Sequence, residues 1–359
     1  MKGHRVPFRS ESNWKETVNP FPYQDDRMLP MFLRISPFFF LFACPLEEML
    51  GTEVDVDTGT DTGTDTNDGV SSPTPYFSSV SSDWRHSCAI DLNDELNCWG
   101  SDDDPLGNTN GLISNVPSGK FTTVSTGGWH SCAIAVDGGL NCWGDDDWNQ
   151  VTDTPTGTNW VAVSAGWYNS CALDTSGEIT CWGSDHYHII TDTPQSSIAF
   201  TMLGSMAYGN PCAIDTADNI TCWGYQAEDV VRDMPTSGSW SEVNTGYEHA
   251  CALDTSGRIS CWGRNSQYKP QIEDSPSTSN FTSISSGMYG NCALDTSGSI
   301  TCWGVDVYAQ VTNTPTGTGY TAVSAGSFHN CAIDASDDLT CWGIDDGSDL
   351  DYGQVTNAP

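Results

Sequence analysis

Cys171-Ala-Leu-Asp-Thr-Ser-Gly-Glu-Ile-Thr-Cys181-Trp182-Gly183 is the stretch whose reading decides the fold. Seven versions of it occur between Cys88 and Cys341, and in each the two cysteines stand ten positions apart. The unit that repeats is 39 to 44 residues long. A unit of that size cannot bury its apolar face alone, so neighbours must stack and the number of units largely sets the architecture.

The stretch reads as a hairpin. A three-residue loop places Gly177 where the backbone needs a positive φ, so Asp174 faces Glu178, Leu173 faces Ile179 and Cys171 faces Cys181. Counting outward from the turn puts the cysteines in a non-hydrogen-bonded pair, where Cα atoms approach most closely. The pairs Cys88/Cys98, Cys132/Cys142, Cys171/Cys181, Cys212/Cys222, Cys251/Cys261, Cys292/Cys302 and Cys331/Cys341 are therefore expected to be disulfides of an exported protein. Zinc is the competing reading, but structural zinc sites use shorter cysteine spacings with histidine partners. Along the strands, Cys171, Leu173, Ile179 and Cys181 share one face, and Ala172, Thr180 and Trp182 the other.

Each unit follows the same order. An aromatic opens a short alternating strand, as in Tyr76-Phe-Ser-Ser-Val80, Phe121-Thr-Thr-Val124, Trp160-Val-Ala-Val163, Phe200-Thr-Met-Leu203, Trp240-Ser-Glu-Val243, Phe281-Thr-Ser-Ile284 and Tyr320-Thr-Ala-Val323. A glycine-containing loop with aromatics, the cysteine hairpin and a variable loop follow. A last segment ends in Pro117, Pro155, Pro194, Pro235, Pro276, Pro315 or Pro359. Four short strands per unit, with Gly and Trp recurring once and no helical periodicity between them, predict β-propeller blades. Blades are sandwiched face to face, so both faces of each hairpin are expected to be buried. Trp99, Trp143, Trp182, Trp223, Trp262, Trp303 and Trp342 are expected between blades.

From Tyr76 onward there are 6 Lys+Arg and 35 Asp+Glu, about −29 in net charge. Such a surface repels phosphate backbones and anionic headgroups, which excludes nucleic acid as a partner and leaves a membrane only through a lipid anchor.

The fifteenth cysteine, Cys44, follows Arg34 and the apolar run Ile35-Ser-Pro-Phe-Phe-Phe-Leu-Phe-Ala43. The run is far shorter than the roughly 18 residues a membrane span needs and reads as a signal-peptide core over 1–43. Leu41-Phe42-Ala43-Cys44 resembles a lipoprotein lipobox, with Phe42 where that motif prefers a small residue, which makes Cys44 the expected lipidation site. A start at Met28 or Met31 would remove the overlong polar lead of 1–27, and a secreted protein with a stray cysteine is the alternative. Residues 44–75, with Asp57-Thr-Gly-Thr-Asp-Thr-Gly-Thr-Asp-Thr, hold too little apolar surface to offset ordering and read as a disordered acidic tether.

With these motifs in view, the units resemble the repeat of the regulator of chromosome condensation family. Gly127-Gly128-Trp129-His130-Ser131-Cys132-Ala133-Ile134 with Cys142-Trp143-Gly144 is a close copy, and Asn149-Gln150-Val151, Ala309-Gln310-Val311 and Gly353-Gln354-Val355 are traces of its Gly-Gln-Leu-Gly. The match covers residues 76–359, and the short unit is similar to the compact bacterial propellers that include a β-lactamase inhibitory protein. The resemblance implies an all-β, seven-bladed propeller, here with one disulfide hairpin per blade. It implies protein binding, since bacterial members bind proteins, but no single activity.

Three sets of residues are candidates for function. Trp84, Trp129, Trp167, Tyr168, Tyr208, Tyr247, Tyr289 and Phe328 lie in the loop before each first cysteine, so seven-fold repetition brings them to one rim as partner-binding anchors, or else they plug gaps between blades. The loops after Trp-Gly, among them Ser101-Asp-Asp-Asp104, Asp145-Asp-Asp-Trp148, Ser184-Asp-His-Tyr-His188, Tyr225-Gln-Ala-Glu-Asp229 and Ile344-Asp-Asp-Gly-Ser-Asp-Leu-Asp-Tyr352, vary most. Their carboxylates suit calcium and His186 with His188 a transition metal, but the preferred reading is solvated acid loops needing no cofactor. His86, His130, His249 and His329, replaced by Asn169, Asn210 and Gly290 elsewhere, read as loop fasteners, because a catalytic group is a unique constellation and not a four-fold copy. No catalytic residues are identified. The expectation is a monomeric exported lipoprotein, in the cell envelope or at the cell surface, whose propeller binds a protein. An enzyme with a site in the central channel, or a structural surface component, are the alternatives.

Overall fold

The disulfide hairpin forms with the expected register. In a computed structural model that describes residues 76–359 apart from 104–108, 196, 226–228, 265–269 and 349, Cys171 pairs with Cys181 and Leu173 with Ile179. Gly177 has φ +85. All seven cysteine pairs are disulfides, with Cα atoms 4.0 to 4.1 Å apart, the close approach of a non-hydrogen-bonded pair. The turn has a further device that composition alone conceals. Asp174 Oδ1 accepts the N–H groups of Ser176 and Glu178 at 2.8 and 3.0 Å, and Asp254 and Asp295 do the same in their own hairpins.

Among the described residues the strands are β1 (Phe77–Ser82), β2 (His86–Asp91), β3 (Leu96–Gly100), β4 (Phe121–Thr126), β5 (His130–Ala135), β6 (Leu140–Gly144), β7 (Trp160–Ala165), β8 (Asn169–Asp174), β9 (Ile179–Gly183), β10 (Phe200–Leu203), β11 (Cys212–Asp215) and β12 (Ile220–Cys222). A single-turn helix, α1 (Asp229–Arg232), precedes β13 (Trp240–Thr245), β14 (His249–Asp254) and β15 (Ile259–Gly263). After α2 (Pro270–Glu273) come β16 (Phe281–Ser286), β17 (Gly290–Asp295), β18 (Ile300–Gly304), β19 (Tyr320–Ala325), β20 (His329–Asp334) and β21 (Leu339–Gly343). They form seven three-stranded antiparallel meanders, one per unit. In every unit a bulge interrupts the first strand just after its opening aromatic, as between Trp160 and Ala162.

Among the described residues the fourth strand expected in each unit is not formed. Residues 145–155 show why. Asp146 accepts the N–H groups of Val151 and Thr152, both at 2.9 Å, as well as the Thr152 hydroxyl. Asn149 stands in the left-handed region at φ 61, and Asp153 N–H bonds back to the Asn149 carbonyl at 3.1 Å. The segment is wound on itself and ends in a proline with no N–H, so no ladder can extend through it. In units 4 and 5 the same segment is the short helix α1 or α2.

The two faces of each hairpin pack as their alternation predicts. The disulfide face of one blade lies on the tryptophan face of the next: Cys132, Ile134, Leu140 and Cys142 pack on Val163, Ala172 and Trp182. The arrangement recurs at every interface, including the last, where Cys331, Ile333, Leu339 and Cys341 of unit 7 meet Phe77, Ala89 and Trp99 of unit 1 and close the ring. The hairpin indoles are fastened as well as buried. Trp143, Trp182, Trp223, Trp262, Trp303 and Trp342 donate to the carbonyls of Leu112, Gln150, Ile189, Val230, Gln271 and Gln310 in the turn segment of the preceding unit. Trp99 donates to Gln354 at 2.8 Å across the closure.

Burial across the staples is unequal, which corrects the expectation that both faces of the hairpin are fully buried. Cys88, Cys251 and Cys292, on the middle strands β2, β14 and β17, are buried. Their partners Cys98, Cys261 and Cys302, on β3, β15 and β18, are only half-buried, as are Cys142 and Cys341. The unformed fourth strand permits this without dictating it. Without it the third strand is the outer edge of its meander, so its cysteine packs on the inter-blade cluster with one side uncovered. In units 3 and 4 the corresponding Cys181 and Cys222 are buried.

The signal peptide 1–43, Cys44 and the tether 44–75 lie outside the described residues. No helix among the described residues is long and apolar enough to cross a membrane.

Candidate functional site

The first strand of each blade faces the axis, and its inward N–H groups would be left unpaired as a sheet edge. Serines of neighbouring blades take them up. Ser81, Ser125, Ser285 and Ser324 accept from the N–H groups of Thr126, Ala165, Ala325 and Ser82 at 2.9 to 3.0 Å. The resulting channel, lined by Ser82, Ser125, Ser205 and Ser286 with Asp83 at one end, holds a cavity of about 50 Å³. That is room for water molecules and small ions.

Two acids interrupt the repeat. Asp83 occupies the position held by Gly127, Gly166, Gly246, Gly287 and Gly326 in other units. It receives the Ser327 hydroxyl at 3.2 Å, and its carbonyl accepts the Ser327 N–H at 3.3 Å. Burial pushes its carboxyl up to about 8, against the lowering effect of Ser327. Glu242 accepts the Ile284 N–H and an Asn244 amide hydrogen, both at 3.1 Å, and burial pushes it up to about 7 against those bonds. Both acids act as latches between neighbouring blades.

The loops between first and second strands meet around one mouth of the channel. Their glycines permit it: a Cβ on Gly127 would lie 2.1 Å from the Gly166 carbonyl oxygen, and one on Gly287 2.0 Å from that of Gly326. The aromatics these loops carry converge instead of standing apart as an exposed rim. Trp84 stacks on Trp167 with centroids 5.2 Å apart and meets Trp129 edge-on at 4.9 Å. The series continues from Trp167 to Tyr208, Tyr247, Tyr289 and Phe328 at 4.7 to 6.3 Å. Trp84, Trp129, Trp167, Tyr247 and Phe328 are buried, whereas Tyr168, Tyr208 and Tyr289 are half-buried. Large rings brought this close to one axis shield one another, so most of the accessible surface passes to a second tier.

That tier comes from the loops after Trp-Gly. Trp148, 46% exposed, lies 6.2 Å from Tyr168. Tyr187 meets Tyr208 at 5.4 Å, with their hydroxyls 2.9 Å apart, and Tyr225 at 5.1 Å. Tyr308 meets Phe328 at 5.3 Å. In units 2, 3 and 6 these aromatics fall five positions after the hairpin tryptophan, a spacing present in the sequence that reasoning about acidic loops passes over.

Several carboxylates of these loops hold the chain together. For Asp146 and Asp185, burial alone would raise the carboxyl, but hydrogen bonds from Thr152 and Val151, and from Thr191 and Ile190, outweigh it and hold both below the usual range. Asp102 is used in the same way by Ile113 and Ser114. His186 lies edge-on to Tyr187 at 4.8 Å. Among the described residues no group of three or more His, Cys, Asp or Glu is placed to hold a metal ion.

The repeated histidines join neighbouring blades. The Nε2 atoms of His86, His130 and His329 lie 2.6 Å from the hydroxyls of Ser131, Ser170 and Ser87, and His249 Nε2 lies 2.9 Å from Asn291 Oδ1. Burial pulls His86, His130 and His329 down to about 3, so each is neutral.

Seven meander blades closed into a ring about a serine-lined channel define a disulfide-stapled β-propeller. Residues 160–189, 240–268 and 320–354, in three of the seven units, match the family model of the regulator of chromosome condensation (RCC1) repeat. No curated protein matches it. Among solved structures it is similar to the CRINKLY WD40 ectodomain of the Arabidopsis thaliana receptor kinase ACR4, with 21% identity over 77% of this chain and 100% of that one and a TM-score of 0.59. The ectodomain of the Physcomitrella patens receptor kinase CR4 gives 22% identity over 76% and 74%, with a TM-score of 0.60. Prp20p of Saccharomyces cerevisiae, described with its binding to Gsp1p and histones, gives 16% identity over 78% and 86%, with a TM-score of 0.54. These likenesses show a shared fold.

Proposed function

We propose that the propeller is a protein-binding module of an exported lipoprotein, carried on an acidic tether from lipidated Cys44. The observation that carries the binding reading is the two-tiered aromatic face. Its buried tier fixes the position of half-exposed rings on loops of varied sequence, which is how a rigid scaffold presents anchor residues. Two of the similar structures are receptor ectodomains, and Prp20p is described by its protein partners. Seven disulfides favour an oxidising compartment, which supports export.

The test is a pull-down from the native cell envelope with the tagged full chain and a Trp148→Ala, Tyr308→Ala double variant. Loss of a partner from the variant is the expected result, and equal recovery would count against the face. Cys44→Ser should move the protein from the membrane fraction to the soluble fraction, and an unchanged distribution would remove the anchor.

A further inference from the structure

The aromatic face already holds one cation. Arg85, 2% exposed, sets its guanidinium over the rings of Tyr352 at 4.2 Å, Trp129 at 5.4 Å and Trp84 at 5.6 Å. The six other loops of the inner ring contain no Lys or Arg. Ring faces attract cations through their quadrupole, and guanidinium suits them best because it is planar and weakly hydrated.

The elements of that cage recur around the same face. Trp148 stands beside Tyr168 and Tyr308 beside Phe328. Acids flank both: Asp147 adjoins Trp148 in the chain, and Asp346 is near enough to Tyr308 to add to the raising of its phenol that burial begins. The indole N–H groups of Trp129 and Trp167, both buried, find no acceptor among the described residues, whereas all seven hairpin indoles do. Trp160 and Trp240, at the start of β7 and β13, share that state away from this face. With about −29 of net charge on the repeat region, a cationic partner is attracted from a distance and an anionic one repelled.

We infer that this face binds a protein segment bearing arginine or lysine, whose cationic heads stack on Trp148, Tyr168 and Tyr308 beside Asp147 and Asp346. The inference rests on the reading of this face as a protein-binding surface and specifies the partner's chemistry.

The test uses the full chain and fluorescence anisotropy of a labelled peptide of alternating arginine and glycine, with a glutamate–glycine peptide as control. The arginine peptide should bind, more weakly as salt rises, and Trp148→Ala or Tyr308→Ala should each weaken it about tenfold while the control stays unbound. Asp147→Asn, at an exposed position, gives a milder loss in a variant that leaves the aromatic packing intact. Absence of binding, or equal binding by wild type and all three variants, would overturn the inference. If the envelope pull-down yields a partner that the double variant loses but excess arginine peptide does not displace, the cationic assignment fails while the protein-binding reading stands. A partner retained by the variant sinks both.

Discussion

Gln354 and Trp99 are 255 positions apart in the chain, yet the indole N–H of Trp99 donates to the Gln354 carbonyl at 2.8 Å. The bond repeats at the closure what Trp182 and Gln150 do within the ring, so the last turn segment of the chain completes the first blade. Gln354 is fully buried there, and its side-chain amide donates to the carbonyls of Trp84 and Leu350 while its oxygen accepts the Tyr352 N–H. Gln354→Ala leaves these groups unsatisfied at the seam and should cost about 1–3 kcal/mol, read as a lower urea midpoint. A midpoint equal to wild type would show that the seam does not depend on these bonds.

The disulfides admit a direct check. Mass spectrometry of the unreduced protein should find seven linked peptides, each within one unit, because all seven pairs are closed at a separation of ten. Replacing one pair by serine should cost about 2–3 kcal/mol. Free thiols throughout the natively produced protein would contradict the stapled fold.

Much of this architecture is legible in the repeat itself. The hairpin register, its turn glycine and the two apolar faces follow from period-two alternation around fixed cysteines, and Cys171, Leu173 and Trp182 lie where that reading puts them. The fourth strand is a misreading because Gln150-Val151-Thr152 has strand-like composition, while the Asp146 carboxylate that winds it into a turn acts across five and six positions, outside any strand period. Cys98, Cys261 and Cys302 are half-buried on an edge that a fourth strand would have covered, although Cys181 and Cys222 are buried on the same kind of edge. The aromatic loops do gather at one mouth, as repetition predicts, but their burial depends on how close seven loops come to an axis. That distance is set by glycine contacts such as Gly127 on Gly166, which no spacing along the chain reveals.

Those contacts make Gly127→Ala a sharp probe. The added Cβ would stand 2.1 Å from a backbone oxygen of the next blade, and backbone cannot move aside as a side chain tip does. A loss of about 1–3 kcal/mol or more is expected by urea unfolding, as for overpacked sites. Gly317→Ala, where nothing lies within 4 Å but φ is +126, separates clash from backbone strain. Gly127 lies outside the left-handed region, so its loss reports the clash alone, and stability equal to wild type there would mean that the neighbouring backbone gives way to the added Cβ.

Stability should pass through a maximum near neutrality, with both limbs traceable to buried groups. His86, His130 and His329 titrate at about 3 when folded and at 6.5 when exposed, so the stability they contribute is complete above 6.5 and is lost as pH falls towards 3. Asp83 and Glu242 work in the opposite sense. Their folded values of about 8 and about 7 lie above the ordinary 3.8 and 4.5, so their contribution is complete at low pH and disappears as pH rises through 7 and 8. Between about pH 5 and 6.5 three histidines oppose two acids, and stability rises with pH. Above 6.5 only the acids act and the slope reverses. Urea midpoints measured across this range should therefore peak near pH 6.5. Asp83→Asn, which keeps an oxygen for the Ser327 hydroxyl but cannot ionise, should flatten the alkaline limb and steepen the acid limb, where one acid then opposes the histidines instead of two. An alkaline limb as steep in that variant as in the wild type would show that Asp83 is already ionised in its latch.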